Sequence, residues 1–212
     1  MKVTIIYDNT IYKEGLQSDW GFSALIEIEN TPKILFDTGA NGKILLNNIK
    51  KLNIDPASIE EIFISHSHFD HTGGLSEFLN VSKVAKIYIP ISFRGVKNKG
   101  IVKVSDAIKI HENVFSTGEL DGIEQGMAVK TEKGIVLIVG CSHPNMAHIL
   151  DATRQFGKIY GVIGGLHGFN EFELFEDLEL ICPTHCTEHK AELERLYPKK
   201  CIEGGVGRVI EV

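Results

Sequence analysis

Long apolar runs are missing from this sequence, and none approaches the roughly 20 residues that a membrane-spanning helix requires. An excess of basic residues is missing too, since 22 Lys and Arg oppose 28 Asp and Glu, for a net charge of -6. This balance argues against a nucleic-acid backbone as the main partner, because phosphate binding depends on Lys and Arg. The stretch 1–8 begins directly with a strand pattern and lacks the form of a signal peptide. We therefore expect a cytoplasmic protein with a small-molecule substrate and with neither a nucleic-acid nor a membrane partner.

Cysteine is scarce as well, and in a reducing compartment the thiols would be available to a metal or simply buried. A chain of 212 residues with 43% hydrophobic content can build a core that needs no disulfides. No internal repeat, low-complexity segment or linker interrupts it, so we predict one domain spanning residues 1–212. The four cysteines are Cys141, Cys182, Cys186 and Cys201.

The most informative stretch is the hexapeptide His-Ser-His-Phe-Asp-His at residues 66–71, which places four potential metal ligands within six residues. The apolar, β-branched segment 61–65 before it predicts a short buried strand. The segment 72–75 after it contains two glycines and predicts a tight turn that leads into a helix. The ligands should therefore lie on a loop at the end of a core strand. Imidazole nitrogens and a carboxylate suit zinc, iron or manganese.

Three later histidines repeat one design, in which an apolar strand is followed by small residues and then by the histidine. They are His143, His167 and His185. Strand ends at one edge of a sandwich converge, so these side chains could meet the first cluster. Helices are predicted over 43–52, 144–156 and 171–178, and a central strand over 134–139 because it is continuously apolar. A last strand is predicted over 206–212, and 92–122 should form short strands and loops covering the site.

The hexapeptide, its strand and the double glycine resemble the metallo-β-lactamase superfamily, whose signature is H-x-H-x-D-H at the end of a strand. The resemblance covers most of the chain and implies an α+β fold, a four-layer αββα sandwich with two mixed β-sheets flanked by helices. It also implies a dinuclear site for two divalent transition metals, with zinc favoured and iron or manganese as alternatives. One ion would be held by His66, His68 and His143, and the other by Asp70, His71 and His185.

The sequence departs from the superfamily at Cys141, which follows the apolar strand where a bridging aspartate is usual. Three roles stay open for Cys141: a bridging thiolate, a ligand of one metal, or no contact with metal. His111 competes with His143 for the third-histidine role, but its polar segment favours a surface position. His148 falls on the helix predicted over 144–156 and His189 on a helix predicted after Thr187, and both should lie at the surface or behind the ligands.

Supporting roles are expected for further residues. His167 is either an additional ligand or a group that contacts the substrate and assists the leaving group. Asp37, in an Asp-Thr-Gly segment typical of superfamily chains, should hold a ligand histidine or its loop in orientation, and Ser67 could do the same. Cys182 and Cys186 are predicted as buried thiols. No residue is singled out for substrate binding.

The segments Gly-Cys-Ser-His-Pro, Gly-Gly-x-His and Pro-x-His-Cys-Thr are similar to the dihydropterin-ribofuranosylaminobenzene 5′-phosphate synthase-like subgroup. The leading hypothesis is a metal-dependent hydrolase in which a dinuclear metal-activated water attacks an ester, lactone or phosphoester, while Asp70 orients it. A pterin-pathway synthase is one alternative. A di-iron redox protein and a non-catalytic metal-binding module are two others.

Overall fold

The structure is a computed structural model that describes residues 1–95 and 100–212. Its first sheet has seven strands, whose spatial order is β13 (Val209–Glu211), β1 (Lys2–Tyr7), β2 (Ser23–Glu27), β3 (Ile34–Phe36), β4 (Glu61–Phe63), β5 (Lys86–Pro90) and β6 (Ile101–Val104). The pairs from β13 to β3 are antiparallel, and those from β3 to β6 are parallel. The sheet is therefore mixed.

The second sheet has six strands, in the order β12 (Leu180–Thr184), β11 (Ile159–Gly165), β10 (Gly134–Val139), β9 (Met127–Thr131), β8 (Val114–Ser116) and β7 (Ile108–His111). Strands β10 to β12 are parallel, and β7 to β10 are antiparallel. The predicted central position of β10 is confirmed, because it has a strand on each side and is buried from its second residue onward.

Helices α1 (Gly42–Lys51) and α3 (Leu75–Val81) cover the outer face of the first sheet, and α4 (Met146–Arg154) and α5 (Lys190–Leu196) cover that of the second. The single turn α2 (Phe69–Thr72) lies in the loop after β4, and short 3-10 helices occur at Pro56–Ser58 and Phe172–Phe175. One apolar cluster lies between the sheets and contains Phe36, Phe63 and Ile138. A second cluster packs α1 and α3 on the first sheet, and a third packs α4 and α5 on the second. The predicted αββα sandwich is confirmed. None of the helices in the described ranges has the length and apolar content needed to cross a bilayer.

Two predicted helices differ from the observed ones. The helix predicted from Pro144 begins at Met146, because the Asn145 side chain accepts the Ala147 N–H at 2.8 Å and caps the first turn. It ends at Arg154 instead of at residue 156. The helix predicted over 171–178 is only the 3-10 helix at Phe172–Phe175.

The last strand is shorter than predicted. Residues 206–212 were expected to be extended throughout, but the strand is Val209–Glu211 because Gly207 adopts a φ of +89° and bends the chain. The short strands predicted within 92–122 are confirmed as β6, β7 and β8. Strands β6 and β7 each form an edge of one sheet, and β8 lies between β7 and β9. Lys97 and Lys99, the basic pair of that segment, lie outside the described residues.

Candidate metal centre

The candidate ligands meet at one end of the sandwich. The hexapeptide follows β4 in the first sheet, and Cys141 and His143 follow β10 in the second. His185 follows β12, which is parallel to β11 and therefore to β10. The carboxyl ends of these parallel strands share an edge, so the loops after them converge. The sequence therefore brings together side chains that are more than 100 residues apart.

Three of the predicted ligands form a first cluster made of His66, His68 and His143. Their candidate ligand atoms all lie within 4.8 Å of one another. The ring centroids are 4.6 Å apart for His66 and His68 and 4.9 Å apart for His66 and His143. His143 Nε2 is 3.1 Å from His68 Nδ1. The structure thus places His143 where the sequence predicted the third histidine.

The other three predicted ligands form a second cluster, which also includes Cys141. His71 Nε2 lies 3.3 Å from His185 Nε2 and 3.1 Å from Cys141 Sγ. Asp70 Oδ2 lies 3.1 Å from His185 Nε2 and 3.9 Å from His71 Nε2. The His66 and His71 ring centroids are 4.2 Å apart, so the two clusters are adjacent.

Hydrogen bonds behind the first cluster and His71 fix which imidazole nitrogen faces the site. The Asp37 carboxylate accepts from His71 Nδ1 at 2.7 Å and from Ser65 Oγ at 2.6 Å. Because Ser65 Oγ donates its proton to Asp37, it accepts from His66 Nδ1 at 2.9 Å. The Nε2 atoms of His66 and His71 therefore carry lone pairs that point into the site.

His185 is held in the same way from the first sheet. Asn9 Oδ1 accepts from His185 Nδ1 at 3.0 Å, and Asp8 Oδ1 accepts the His185 backbone N–H at 2.8 Å. Both residues follow β1, which runs in the same direction as β3. The sequence reasoning missed Asp8 and Asn9, although polar residues directly after an apolar strand were the signal that identified His143 and His185.

Orphaned buried atoms and short contacts show that these residues fit a divalent transition metal. His66 Nε2 is buried and has no hydrogen-bond partner among the described residues. Tetrahedral zinc with nitrogen ligands at about 2.0 Å separates two such nitrogens by about 3.3 Å. The distance between the lone-pair atoms His71 Nε2 and His185 Nε2 is also 3.3 Å, where a cation would relieve their repulsion.

Burial keeps two of the histidines in the neutral form that binds a metal. Burial lowers the pKa of His66 to about 2 and that of His71 to about 3, so both are neutral at pH 7. Burial opposes ionisation of Asp70, but its interactions with the imidazoles of His185 and His71 hold the pKa of Asp70 below its usual value. Burial raises the pKa of Asp37 to about 7 against the opposing effects of His66 and Ser65.

The backbone is strained at four residues of this centre. Asp37, Ser142, His167 and His185 have φ values of +52°, +60°, +44° and +45°, a region that residues other than glycine seldom adopt. Such conformations persist only where surrounding contacts impose them, and they concentrate at functional sites. The strain therefore supports a functional role for these strand ends.

A buried glutamate that the sequence analysis missed supports the loop carrying Cys141 and His143. Glu124 Oε1 accepts the backbone N–H groups of Gly140, Cys141 and Ser142 at 2.9, 3.0 and 3.1 Å. Its Oε2 accepts the N–H of His143 at 2.9 Å. No sequence signal marks this residue, because its partners are backbone amides distant in the chain.

The thiols divide into two environments. Cys182 is buried between the two sheets, as predicted. Cys186 is also buried but lies at the centre, where Cys141, His185 and Cys186 offer ligand atoms within 4.8 Å of one another. A hydrogen bond from Cys141 lowers the pKa of Cys186 to about 6, and the same contact raises that of Cys141.

Two supporting predictions have different outcomes. Asp37 lies directly behind His71, as its expected role requires. The sequence predicts a similar role for Ser67, but Ser67 is exposed and Ser65 makes the contact with His66. The reason is that the chain remains buried for three residues after β4, which includes Ser65, and becomes exposed at Ser67. His167 is exposed at the rim, with its ring centroid 5.1 Å from that of His143.

The remaining histidines form contacts away from the centre. His111 Nε2 lies 2.7 Å from Glu61 Oε2, at the opposite end of β4, so the competing third-histidine role is not supported. His148 is 50% exposed and pairs with Asp121. His189 directly precedes α5, and its Nδ1 lies 3.8 Å from Glu192 Oε2.

Two large aromatic side chains are exposed next to the second cluster. Trp20 is 58% exposed and Phe69 is 72% exposed. The Trp20 ring meets the His185 ring edge to face, with centroids 5.0 Å apart. Phe22 N donates to Asp70 O at 3.3 Å, which joins segment 20–22 to the hexapeptide that contains Phe69. The sequence analysis missed this aromatic rim.

Comparisons with known proteins identify the family. The profile of the Metallo-beta-lactamase superfamily matches residues 21–135. The 7,8-dihydropterin-6-methyl-4-(beta-D-ribofuranosyl)-aminobenzene-5'-phosphate synthase of Methanocaldococcus jannaschii is 30% identical, over 94% of this chain and 95% of the relative. An uncharacterized protein of that organism is 29% identical, over 99% of this chain and 100% of that relative. A solved structure, a metal-dependent hydrolase of the beta-lactamase superfamily, shares the fold with a TM-score of 0.77 at 24% identity, covering 100% of this chain and 99% of that one. The chain belongs to the metallo-beta-lactamase superfamily.

Proposed function

We propose that this protein is a metal-dependent hydrolase that cleaves an ester, lactone or phosphoester of a small molecule. The observation that carries the proposal is the pair of adjacent clusters, in which lone-pair nitrogens and a carboxylate converge from both sheets. His66, His68 and His143 would hold one divalent ion, and Asp70, His71 and His185 would hold the other. Two such ions, when bound, supply Lewis acidity toward the bond being broken and lower the pKa of a water molecule.

The surrounding residues have separate tasks in this proposal. Asp37 and Ser65 fix the tautomers of His71 and His66, and Asp70 orients the attacking water. His167 is exposed at the rim near His143, where its imidazole can donate a proton to the leaving-group oxygen. Zinc is the favoured ion because imidazole nitrogens dominate the ligand set, and manganese or iron are the alternatives. The net charge of -6 disfavours a nucleic acid as substrate.

The test is elemental analysis of protein purified without added metal, followed by assays with phosphodiesters, lactones and thioesters. We expect about two zinc or manganese ions per chain and hydrolysis of at least one substrate class. His68→Ala should remove hydrolysis, because it deletes a ligand of the first cluster. Absence of bound transition metal, or unchanged hydrolysis in His68→Ala, would contradict the proposal. Bound iron with visible absorbance would favour the redox alternative, and bound metal without turnover would favour the non-catalytic one.

A pterin-pathway synthase is the second candidate. It is supported by the synthase from M. jannaschii, which is 30% identical, and by the exposed rings of Trp20 and Phe69 beside the second cluster. Such rings suit a substrate with an aromatic part. The test is incubation with a dihydropterin diphosphate and an aminobenzene ribotide, with detection of a joined product. Product formation without hydrolysis of any ester would favour the synthase.

The location of the protein is also a proposal. All four cysteines are free thiols, and three of them are buried. Free thiols are typical of a reducing compartment, which supports a cytoplasmic location.

A further inference from the structure

Glu124 and Gln125 lie between β8 and β9 and contact both loops that carry candidate ligands. On one side, the Glu124 carboxylate accepts the four backbone N–H groups of residues 140–143. On the other side, Gln125 N donates to Ser65 O at 2.9 Å, and Gln125 Nε2 donates to Ile64 O at 2.8 Å. The dipeptide therefore joins the loop after β10 to the loop after β4.

The backbone N–H groups of the loop after β10 form a buried anion site, which the Glu124 carboxylate occupies. Ser142 adopts a φ of +60°, and a residue in this conformation lets successive N–H groups point into one concavity. Glu124 is only 2% exposed, so its charge is screened little by solvent. Hydrogen bonds from four amides to one carboxylate are charge-assisted and hold the loop in a single conformation.

The two loops come from different sheets and must meet within narrow limits. His66 and His68 follow β4, whereas His143 follows β10, yet their ligand atoms lie within 4.8 Å of one another. A Cβ added at Gly140 would lie 2.2 Å from Ser65 Oγ and 3.0 Å from His66 Nδ1, so the loops are already in contact. A small change in their separation would displace His143 from the other two histidines.

We propose that Glu124 and Gln125 are positioning residues that set the separation of the two ligand loops and thereby the affinity of the centre for its metal ions. The proposal rests on the metal-binding part of the proposed function and is independent of which reaction the protein catalyses. Residues behind metal ligands act in this way, and their replacement commonly lowers metal affinity about 10- to 100-fold.

The experiment compares Glu124→Gln with the wild-type protein after metal removal. Zinc is titrated in competition with a chromophoric chelator, and urea unfolding of the metal-free proteins is measured in parallel. In Glu124→Gln an amide NH2 replaces an oxygen and faces one of the four N–H groups, so the zinc affinity should fall about 10- to 100-fold. Glu61→Gln is the matched control, because Glu61 is also a buried glutamate but pairs with His111 at the opposite end of β4.

A merely structural role predicts a different result. It would lower the urea midpoints of Glu124→Gln and Glu61→Gln alike and leave zinc affinity unchanged in both, which would overturn the proposal. If Glu124→Gln does not fold, the test uses Gln125→Met, which removes only the side-chain hydrogen bonds to Ile64 and Ser116. Wild-type zinc affinity in Gln125→Met would also overturn the proposal. If Glu124→Gln has reduced zinc affinity but the wild-type protein hydrolyses none of the substrates, this proposal is supported and the proposed hydrolase activity is contradicted.

Discussion

Asp37 Oδ2 lies 2.7 Å from His71 Nδ1, and both side chains are fully buried. The same oxygen accepts from Ser65 Oγ, whose own partner is His66 Nδ1. One carboxylate therefore orients a histidine of each cluster, His66 in the first and His71 in the second. This connection makes Asp37 the residue through which the two candidate metal positions are coupled.

Replacing Asp37 should weaken both metal positions. In Asp37→Asn an amide NH2 takes the place of Oδ2, the oxygen that accepts from His71 and Ser65, so His71 and His66 are no longer held in the tautomer that directs Nε2 into the site. We expect zinc affinity to fall about 10- to 100-fold, measured by chelator competition. Ser67→Ala is the control, because Ser67 is exposed on the same loop. This variant should bind zinc with the affinity of the wild type. Equal zinc affinity in Asp37→Asn and the wild type would show that Asp37 does not orient the ligands.

The ligands could be predicted from the sequence because each one follows an apolar strand. The hexapeptide is local, so its four ligands needed no tertiary information. For His143 and His185, the convergence of strand ends indicated only that they could meet the hexapeptide, and the resemblance to the superfamily assigned each to a ligand set; the structure brings both to the clusters. Their binding of metal stays a prediction.

The supports behind the ligands were harder to predict, for physical reasons. Glu124 bonds to backbone amides, which every residue has, so no side-chain pattern marks its partners. The sequence predicts a supporting role for Ser67, whereas Ser65 makes the contact, because the path of the chain after β4 decides which serine is buried and tertiary contacts set that path. The predicted start of α4 at Pro144 was also wrong, because Asn145 caps the helix and Pro144 therefore lies before it.

Cobalt substitution should show whether Cys141 is a ligand. Cys141 Sγ lies 3.1 Å from His71 Nε2, close enough for both atoms to bind one ion. We expect the cobalt-loaded protein to have a near-ultraviolet sulfur-to-cobalt charge-transfer band, and Cys141→Ala to lose it together with one metal ion per chain. Cys182→Ala is the matched control, since Cys182 is equally buried but lies between the sheets. A band that persists in Cys141→Ala would assign the sulfur ligand to Cys186, the other thiol at the centre. A wild-type spectrum without the band would leave Cys141 without a metal contact and make His167 the candidate that completes the shell.

The pH dependence of stability should report the buried histidines. The pKa of His66 is lowered from 6.5 to about 2, so below pH 6.5 the unfolded chain binds a proton that the folded chain does not. Stability from this residue is therefore present above pH 6.5 and is lost as the pH falls toward 2. Each such proton changes the free energy of unfolding by about 1.4 kcal/mol per pH unit. Asp37 acts in the opposite direction because its pKa is raised.

The measurement compares urea unfolding of metal-free wild type and His66→Gln between pH 6 and pH 4. The slope of unfolding free energy against pH should be smaller in His66→Gln by about 1.4 kcal/mol per pH unit. His148→Gln should keep the wild-type slope, because His148 is half exposed and pairs with Asp121 at the surface. Identical slopes in all three proteins would mean that His66 takes up protons in the folded state.

The aromatic rim should contribute to substrate binding more than to turnover. Trp20 and Phe69 remain exposed although burying them would be favourable, and Trp20 contacts His185. For a substrate with an aromatic part, Trp20→Ala and Phe69→Ala should each raise KM by up to about tenfold, the value of one aromatic contact. Leu196→Ala is the control, because Leu196 is 44% exposed on α5 and away from the clusters. A fall in kcat at unchanged KM would instead show that these rings shape the metal centre through His185 and the hexapeptide.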